Sequence, residues 1–485
     1  MTQLEEMIRQ GRTSLYIGGE WRAAADGYEI DVLDPATGEP LTRVAAAGIE
    51  DALEAVTAAS EAGPGWAATS PQERGEILRR AFELMVERAD ELAELIVLEM
   101  GKALSEARGE AVYSAEFLRW YSGEAVRNQG SILTAPAGDK RILAIHQPIG
   151  VSFLVTPWNF PAAMATRKIG PAIAAGCTMI LKPASDTPLT ALAMASLLEE
   201  AGLPAGVLNV IPARSSAEVV PAVLADPRVR KLSFTGSTEV GRELLKLAAD
   251  RVINVSMELG GNAPFLVFDD AEIPDSVSGA MIAKLRNGGQ SCIAANRIYA
   301  HEAVAGAFTD ELSSAMAAIR TGPGLDPGVE LGPMINEAAQ KDLGELVGVS
   351  TGAGSTVATG GSAPDRPGFF FEPTVLAGVR SDDPILGHEI FGPVAPVVTF
   401  ESEEEAIALA NATHHGLAAY LYTGDLARAL RVSEALEAGM VGVNRGLISD
   451  PAAPFGGVKE SGIGREGGHE GMAEFLETKY IAADW

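Results

Sequence analysis

Lys231-Leu-Ser-Phe234-Thr-Gly236-Ser237-Thr-Glu-Val-Gly241 is a short apolar run that passes through two small residues into a helical segment expected over Glu239–Ala249. A strand that feeds directly into a helix is half of a crossover unit, and the same rhythm recurs around it. Val151-Ser-Phe-Leu-Val155, Thr178-Met-Ile-Leu181 and Val207-Leu-Asn-Val-Ile211 are further strands, separated by helical stretches. Strands this uniformly apolar suit a parallel sheet covered by helices on both faces. A second series starts at Pro264-Phe-Leu-Val-Phe268 and continues past Met440-Val-Gly-Val443. The sequence therefore predicts an α/β chain of two doubly wound parallel-sheet domains, joined near Glu258-Leu-Gly-Gly261.

Ahead of this region, Ser14-Leu-Tyr-Ile-Gly-Gly-Glu-Trp-Arg22 and Tyr28-Glu-Ile-Asp-Val-Leu33 read as short strands around turns. Ser70-Pro71-Gln72-Glu73 combines a capping box with proline at the first helical position, before Ile77, Leu78, Phe82, Leu84 and Met85 at roughly helical spacing. At 485 residues the chain has length for two or three domains. Its 37 basic and 65 acidic residues give a net charge of −28, which disfavours nucleic acid or an anionic membrane as partner. Cys177 and Cys292 are the only cysteines, so no disulfide framework is expected and a reducing compartment fits. The first ten residues lack the apolar core of a secretory signal, and no apolar run is long enough to span a bilayer. The expectation is a soluble cytoplasmic protein.

Chemistry concentrates in Asn287-Gly-Gly-Gln-Ser-Cys292-Ile-Ala-Ala-Asn-Arg297. The glycines allow a tight turn and leave room for a substrate to reach the sulfur. A thiolate there attacks a carbonyl and holds the product as a thioester. Taken alone, a buried small hydrophobe explains such a cysteine equally well, and that reading suits Cys177, in Ala174-Ala-Gly-Cys-Thr-Met-Ile-Leu181. Gly462-Ile-Gly464-Arg-Glu-Gly467 matches a dinucleotide fingerprint, but it follows no strand and too little chain remains for a crossover unit; it reads as turn chemistry. Gly236 and Ser237 are the better candidates, because they open a helix whose free amides suit a phosphate. Lys182, ending the strand before Pro-Ala-Ser185, lies where a nucleotide ribose or phosphate is expected. The six histidines show no ligand spacing, and no metal is expected.

Seven ordered stretches carry a resemblance. Pro157-Trp-Asn159-Phe-Pro161, Lys182-Pro-Ala-Ser185, Phe234-Thr-Gly-Ser-Thr238, Met257-Glu258-Leu-Gly-Gly261, Gly289-Gln-Ser-Cys292, Glu389-Ile-Phe391-Gly-Pro393 and Pro454-Phe-Gly-Gly457 resemble the successive motifs of the aldehyde dehydrogenase superfamily. The resemblance implies an NAD(P)-binding domain over 1–124 and 148–257 and a catalytic domain over 258–447. It also implies oligomerisation strands over 125–147 and 470–485, pairing strands between subunits of a homodimer or homotetramer. Cys292 is implied as nucleophile, with the Asn159 amide and its own N–H as oxyanion donors and Glu258, its pKa raised by burial, as base for thioester hydrolysis. Thr156, Pro157, Trp158, Lys182, Ser185, Gly236, Ser237, Glu389 and Phe391 are implied to hold the coenzyme.

Arg167 and Arg286 are tied by short tethers to Asn159 and Cys292, and a guanidinium fork suits a carboxylate. With Ser449 they resemble the substrate set of succinate-semialdehyde dehydrogenases, which implies a short aldehyde with a distal carboxylate. Two departures stand out. Asp450 puts a carboxylate beside that serine, and Ala294 stands where some members carry a second cysteine, removing a disulfide switch. Ser185 replaces the glutamate of NAD-selective relatives, so NADP is expected to be preferred, with NAD accepted. Other readings are glutarate semialdehyde or a broad range of aldehydes as substrate, a catalytically silent binding protein, and a cysteine hydrolase, for which only His388 flanks a motif.

Overall fold

The computed structural model describes residues 2–484. An eight-stranded sheet runs in the order Glu20–Arg22, Leu15–Ile17, Leu208–Val210, Met179–Lys182, Val151–Val155, Val229–Thr235, Asn254–Glu258 and Gly462–Ile463. Its five central strands are parallel, and antiparallel strands close both edges. The rejected glycine motif thus supplies an edge strand, paired with Met257 and Glu258. A seven-stranded sheet follows, in the order Thr356–Thr359, Thr374–Ala377, Val394–Phe400, Ala295–His301, Ala263–Val267, Ala418–Tyr422 and Met440–Val443. All its pairings are parallel except the first. The α/β expectation holds.

Both sheets are buried on two faces, which explains their unbroken apolar strands. Leu154 enters one core with Met179 and Leu181, whereas Phe153, Val155 and Ile180 enter another on the opposite face. In the second sheet Phe265 and Val267 face one core and Leu266 and Phe268 the other. Helix ends are stabilised locally and from afar. Ser70 accepts the Glu73 N–H at 3.2 Å, one half of the expected capping box; the reciprocal bond from the Ser70 N–H is not formed. Phe160 and Thr187, at two other N-caps, provide no side-chain cap. Buried Glu110 and Glu99 instead reach the first amides of those helices from elsewhere in the chain.

A separate three-stranded sheet joins Ser131–Thr134, Arg141–Pro148 and Leu476–Ala483. The two segments expected to pair strands between subunits pair with each other inside one chain, with Thr478 opposite His146 and Ile481 opposite Leu143. No described helix is long and apolar enough to cross a membrane.

The chain crosses from the first sheet to the second between Glu258 and Ala263. Buried Arg297 anchors the crossing by donating to the carbonyls of Asn262, Leu409 and Ala410. A Cβ on Gly261 would lie 2.1 Å from the carbonyl oxygen of Cys292, so the junction tolerates no side chain there. Gly261→Ala is therefore expected to lower the apparent melting temperature by about 2–5 °C, the effect of overpacking by one methyl. Gly344→Ala, in an exposed helix interior with nothing within 4 Å of the added carbon, should leave it level or higher. Thermal scanning of both variants checks the contrast.

Candidate active site

The segment that carries Cys292 is shaped by backbone rather than by side chains. Asn287, Gly288 and Gly289 are all left-handed, with φ of 58°, 63° and 75°. For Asn287 that conformation costs about 1 kcal/mol, and three bonds offset it. Its N–H donates to Glu106 Oε1 at 2.6 Å, and its side-chain amide donates to the carbonyls of Asn159 (2.8 Å) and Gln290 (2.9 Å). A Cβ on Gly289 would stand 2.2 Å from the Gly392 carbonyl oxygen, so the Glu389–Pro393 stretch lies directly against this loop. Tyr420 donates to the Ile293 carbonyl at 2.8 Å. Cys292 keeps some exposed surface, and its main-chain N–H makes no hydrogen bond to the described residues.

The expected catalytic groups converge here. Burial, and then the Glu389 carboxylate, push the Cys292 thiol up to about 12, with Arg167 opposing. Glu258 ends its strand 3% exposed, and neither carboxylate oxygen has a hydrogen-bond partner. Burial raises it well above the usual glutamate range, and Glu466 adds to the rise. Asn159 is buried; its side-chain nitrogen donates to the Gln290 carbonyl at 3.0 Å, and its Oδ1 is unpartnered. An amide NH₂ has two protons, so one remains for a ligand. Cys177 is fully buried, with its thiol donating to the Phe475 carbonyl.

The strand order of the first sheet reverses between Val151–Val155 and Val229–Thr235. Such a switch point is where open α/β sheets bind ligands. Thr156, Pro157 and Trp158 leave one strand there, and Gly236 and Ser237 leave the other. Ser237 caps the following helix, accepting the Val240 N–H. Thr156 donates its N–H to the Lys182 carbonyl, joining the loops. The Lys182 amine is buried, donates only to the Pro183 carbonyl, and is pushed down to about 8 by burial, with Asp186 opposing. Ser185 is exposed and donates to the Ala213 carbonyl. Glu389 accepts the Gly261 N–H at 3.0 Å, and burial pushes it up to about 7. Phe391 is left-handed at φ 49° and meets Trp158 edge-to-face at 5.4 Å. An under-partnered buried cation, a helix N-terminus, a carboxylate and a ring held in a strained conformation fit a nicotinamide dinucleotide.

The arginines also converge. Arg167 is 2% exposed, lies 4.1 Å over the Phe455 ring, and donates to Tyr113 Oη at 3.0 Å and Ser449 Oγ at 3.5 Å. Tyr113 and Ser449 hydrogen-bond to each other. Arg286 rests over the rings of Tyr113 (5.7 Å) and Phe160 (4.7 Å). Asp450 is exposed and accepts the Ala452 N–H at 2.9 Å, a turn of its own that takes up its carboxylate. The sequence reading missed Tyr113 and the buried Lys168–Glu466 pair, which has Ser233 as a further partner. Tyr113 sits mid-helix far from every motif, and no local pattern distinguishes it from a core aromatic. Phe455 lay inside a quoted motif and was the one accessible signal.

Comparison with known proteins agrees with this geometry. A succinate-semialdehyde dehydrogenase of Paenarthrobacter nicotinovorans is 56% identical over 91% of this chain and 98% of its own length. Succinate-semialdehyde dehydrogenase [NADP(+)] of Escherichia coli and a glutarate-semialdehyde dehydrogenase of Pseudomonas aeruginosa are each 49% identical over 97% of both chains. The crystal structure of succinate-semialdehyde dehydrogenase from Burkholderia pseudomallei superposes with a TM-score of 0.96 at 48% identity, covering 97% of this chain and 98% of that one. With residues 21–481 also matching the aldehyde dehydrogenase family as a whole, the chain belongs to that family and is an enzyme that oxidises an aldehyde to a carboxylic acid with NAD(P).

Proposed function

We propose that the substrate is succinic semialdehyde, oxidised to succinate. The observation that carries this is the meeting of Arg167, Arg286 and Ser449 around Tyr113, with the Arg167 charge also acting on the Cys292 thiol. Two guanidiniums and a hydroxyl suit a carboxylate, and their short sequence tethers to Asn159 and Cys292 favour a short aldehyde. Glutarate semialdehyde, one methylene longer, is the second reading, favoured by the Pseudomonas relative.

In this reading the Cys292 thiol gives up its proton to water, the thiolate attacks the aldehyde carbon, and the carbonyl oxygen takes up negative charge as the thiohemiacetal forms. The free N–H of Cys292 and the second amide proton of Asn159 receive it; one such donor is worth about 3 kcal/mol in the transition state. When bound, the nicotinamide coenzyme supplies the two-electron acceptor that turns the thiohemiacetal into a thioester. Thr156, Pro157, Trp158, Lys182, Ser185, Gly236, Ser237, Glu389 and Phe391 hold it. Ser185 brings no negative charge to the ribose, and Lys182 adds a cation, so NADP is preferred over NAD. Glu258 removes a proton from water, which then hydrolyses the thioester; a carboxylate with no competing hydrogen bond is free to accept it. Exposed Ile132, Leu133, Tyr480 and Ile481 on the three-stranded sheet support assembly as a homodimer or homotetramer.

Activity is expected to climb with pH. Glu258 works only when ionised and its pKa is raised, while Cys292 must lose a proton from a thiol raised to about 12. Both groups are therefore in the wrong state at low pH, and kcat, which includes hydrolysis of the thioester, should fall as pH drops through a value well above the ordinary glutamate range. A profile flat down to about pH 5 would contradict the assignment of Glu258.

Substrate and coenzyme are tested together by steady-state kinetics on succinic semialdehyde, glutarate semialdehyde and butanal, each with NADP and NAD. Succinic semialdehyde with NADP should give the highest kcat/KM. Arg286→Ala should raise KM for the acid by roughly 10- to 100-fold, the loss of a charge-assisted contact, and change butanal turnover little. Equal effects on both aldehydes would make Arg286 structural, and a large preference for NAD would overturn the role given to Ser185.

A further inference from the structure

Lys102 is 2% exposed and belongs to no motif, yet it lies beneath the reacting groups. Its amine pairs with Glu110 at 2.5 Å, donates to the main-chain carbonyl of Asn159 at 2.9 Å, and lies 4.1 Å over the Phe160 ring on which Arg286 also rests. Glu110 divides its two oxygens. One accepts the N–H groups of Ala162 (2.9 Å) and Ala163 (3.3 Å), capping the helix that begins after Phe160; the other holds Lys102.

A related capping device occurs a second time without a lysine, there with one amide on each carboxyl oxygen. Glu99, equally buried, accepts the N–H groups of Leu189 (2.7 Å) and Thr190 (2.9 Å) at the start of another helix. No described cation forms an ion pair with Glu99, and burial pushes it up to about 8. A buried glutamate can therefore cap a helix here without a lysine; at Glu110 one oxygen takes both amides and Lys102 partners the other. Beyond that pairing, Lys102 makes a bond to the Asn159 carbonyl. That carbonyl accepts from Lys102 on one side and from Asn287, in the nucleophile loop, on the other. Two donors occupy both lone pairs of a carbonyl oxygen, so the peptide that carries the Asn159 side chain is fixed in rotation.

We propose that Lys102, held by Glu110, is a positioning residue for the reaction: it locks the Asn159 main chain so that the side-chain amide already points at the developing oxyanion. The proposal rests on the reading of Asn159 as an oxyanion donor. Preorganisation of this kind matters because a donor displaced by about 1 Å loses much of its effect on the rate. Lys102 does not touch substrate in this account; it works through Asn159.

The test is a double-mutant cycle on the full-length enzyme with saturating succinic semialdehyde and NADP. Rates are normalised to the fraction of Cys292 that takes one equivalent of iodoacetamide, so that misfolded protein is not counted. Asn159→Ala should lower kcat by about 10²–10³. Lys102→Met should lower kcat by about tenfold or more with KM within about threefold, and it should cost nothing further in the Asn159→Ala background. If Lys102→Met does not fold, Lys102→Met combined with Glu110→Gln, which leaves no unpaired charge, takes its place in the cycle. Losses that multiply in the two backgrounds, or a Lys102 variant with normal kcat, overturn the positioning role and leave Asn159 in place. A full-rate Asn159→Ala enzyme overturns the oxyanion reading itself, and the proposal with it.

Discussion

The structure depends on one close approach: the main chain of Gly261, just past the end of the first sheet, packs against the carbonyl oxygen of Cys292. Contact at that range is available only where no side chain intervenes, and it brings the carboxyl edge of one sheet to the amino edge of the other. Glu258, three residues before Gly261, is thereby buried near Cys292, and Gly261 donates its N–H to Glu389 from the same junction. A second close contact, between Gly289 and Gly392, brings in the stretch that carries Phe391. Glycine at these positions serves assembly of the site as much as turning of the chain.

Charge burial follows from this geometry. Glu258, Glu389 and Cys292 lie where water is scarce, and each has its neutral form favoured. Around them the protein places cations that are themselves buried, each with identifiable partners: Arg167 against Phe455, Lys168 with Glu466, Lys102 with Glu110, Arg297 on backbone carbonyls. Burial brings Glu389, raised to about 7, to where it exchanges protons near neutral pH, and moves the Cys292 thiol further from it.

Much of this was legible in the sequence because it is local. Apolar runs of strand length, followed by helical spacing, specify two doubly covered sheets, and both cores accept alternate residues of those runs. The left-handed Gly288 and Gly289 lie in a stretch whose glycines already indicated a turn. What stayed hidden arises from pairings across the fold. Glu110 and Glu99 cap helices from other segments, so a search for Ser, Thr or Asp at the helix start passes over Phe160 and credits Thr187 with a cap its side chain does not make. Tyr113 joins the two arginines only because the Leu104–Glu124 helix happens to cross both. Asp450, which looked adverse beside Ser449, is taken up by its own turn, a local preference of aspartate that sequence alone does not separate from a pocket-facing carboxylate.

The central claim is that Cys292 carries the acyl group and Glu258 releases it. The most direct measurement is the mass of the Glu258→Gln enzyme, quenched in acid after brief exposure to succinic semialdehyde and NADP, then mapped by proteolysis. One acyl group per chain is expected, held as a thioester on the peptide containing Cys292 and persisting far longer than in the unsubstituted enzyme. An unmodified Cys292 during turnover, or an adduct on Cys177, would contradict it.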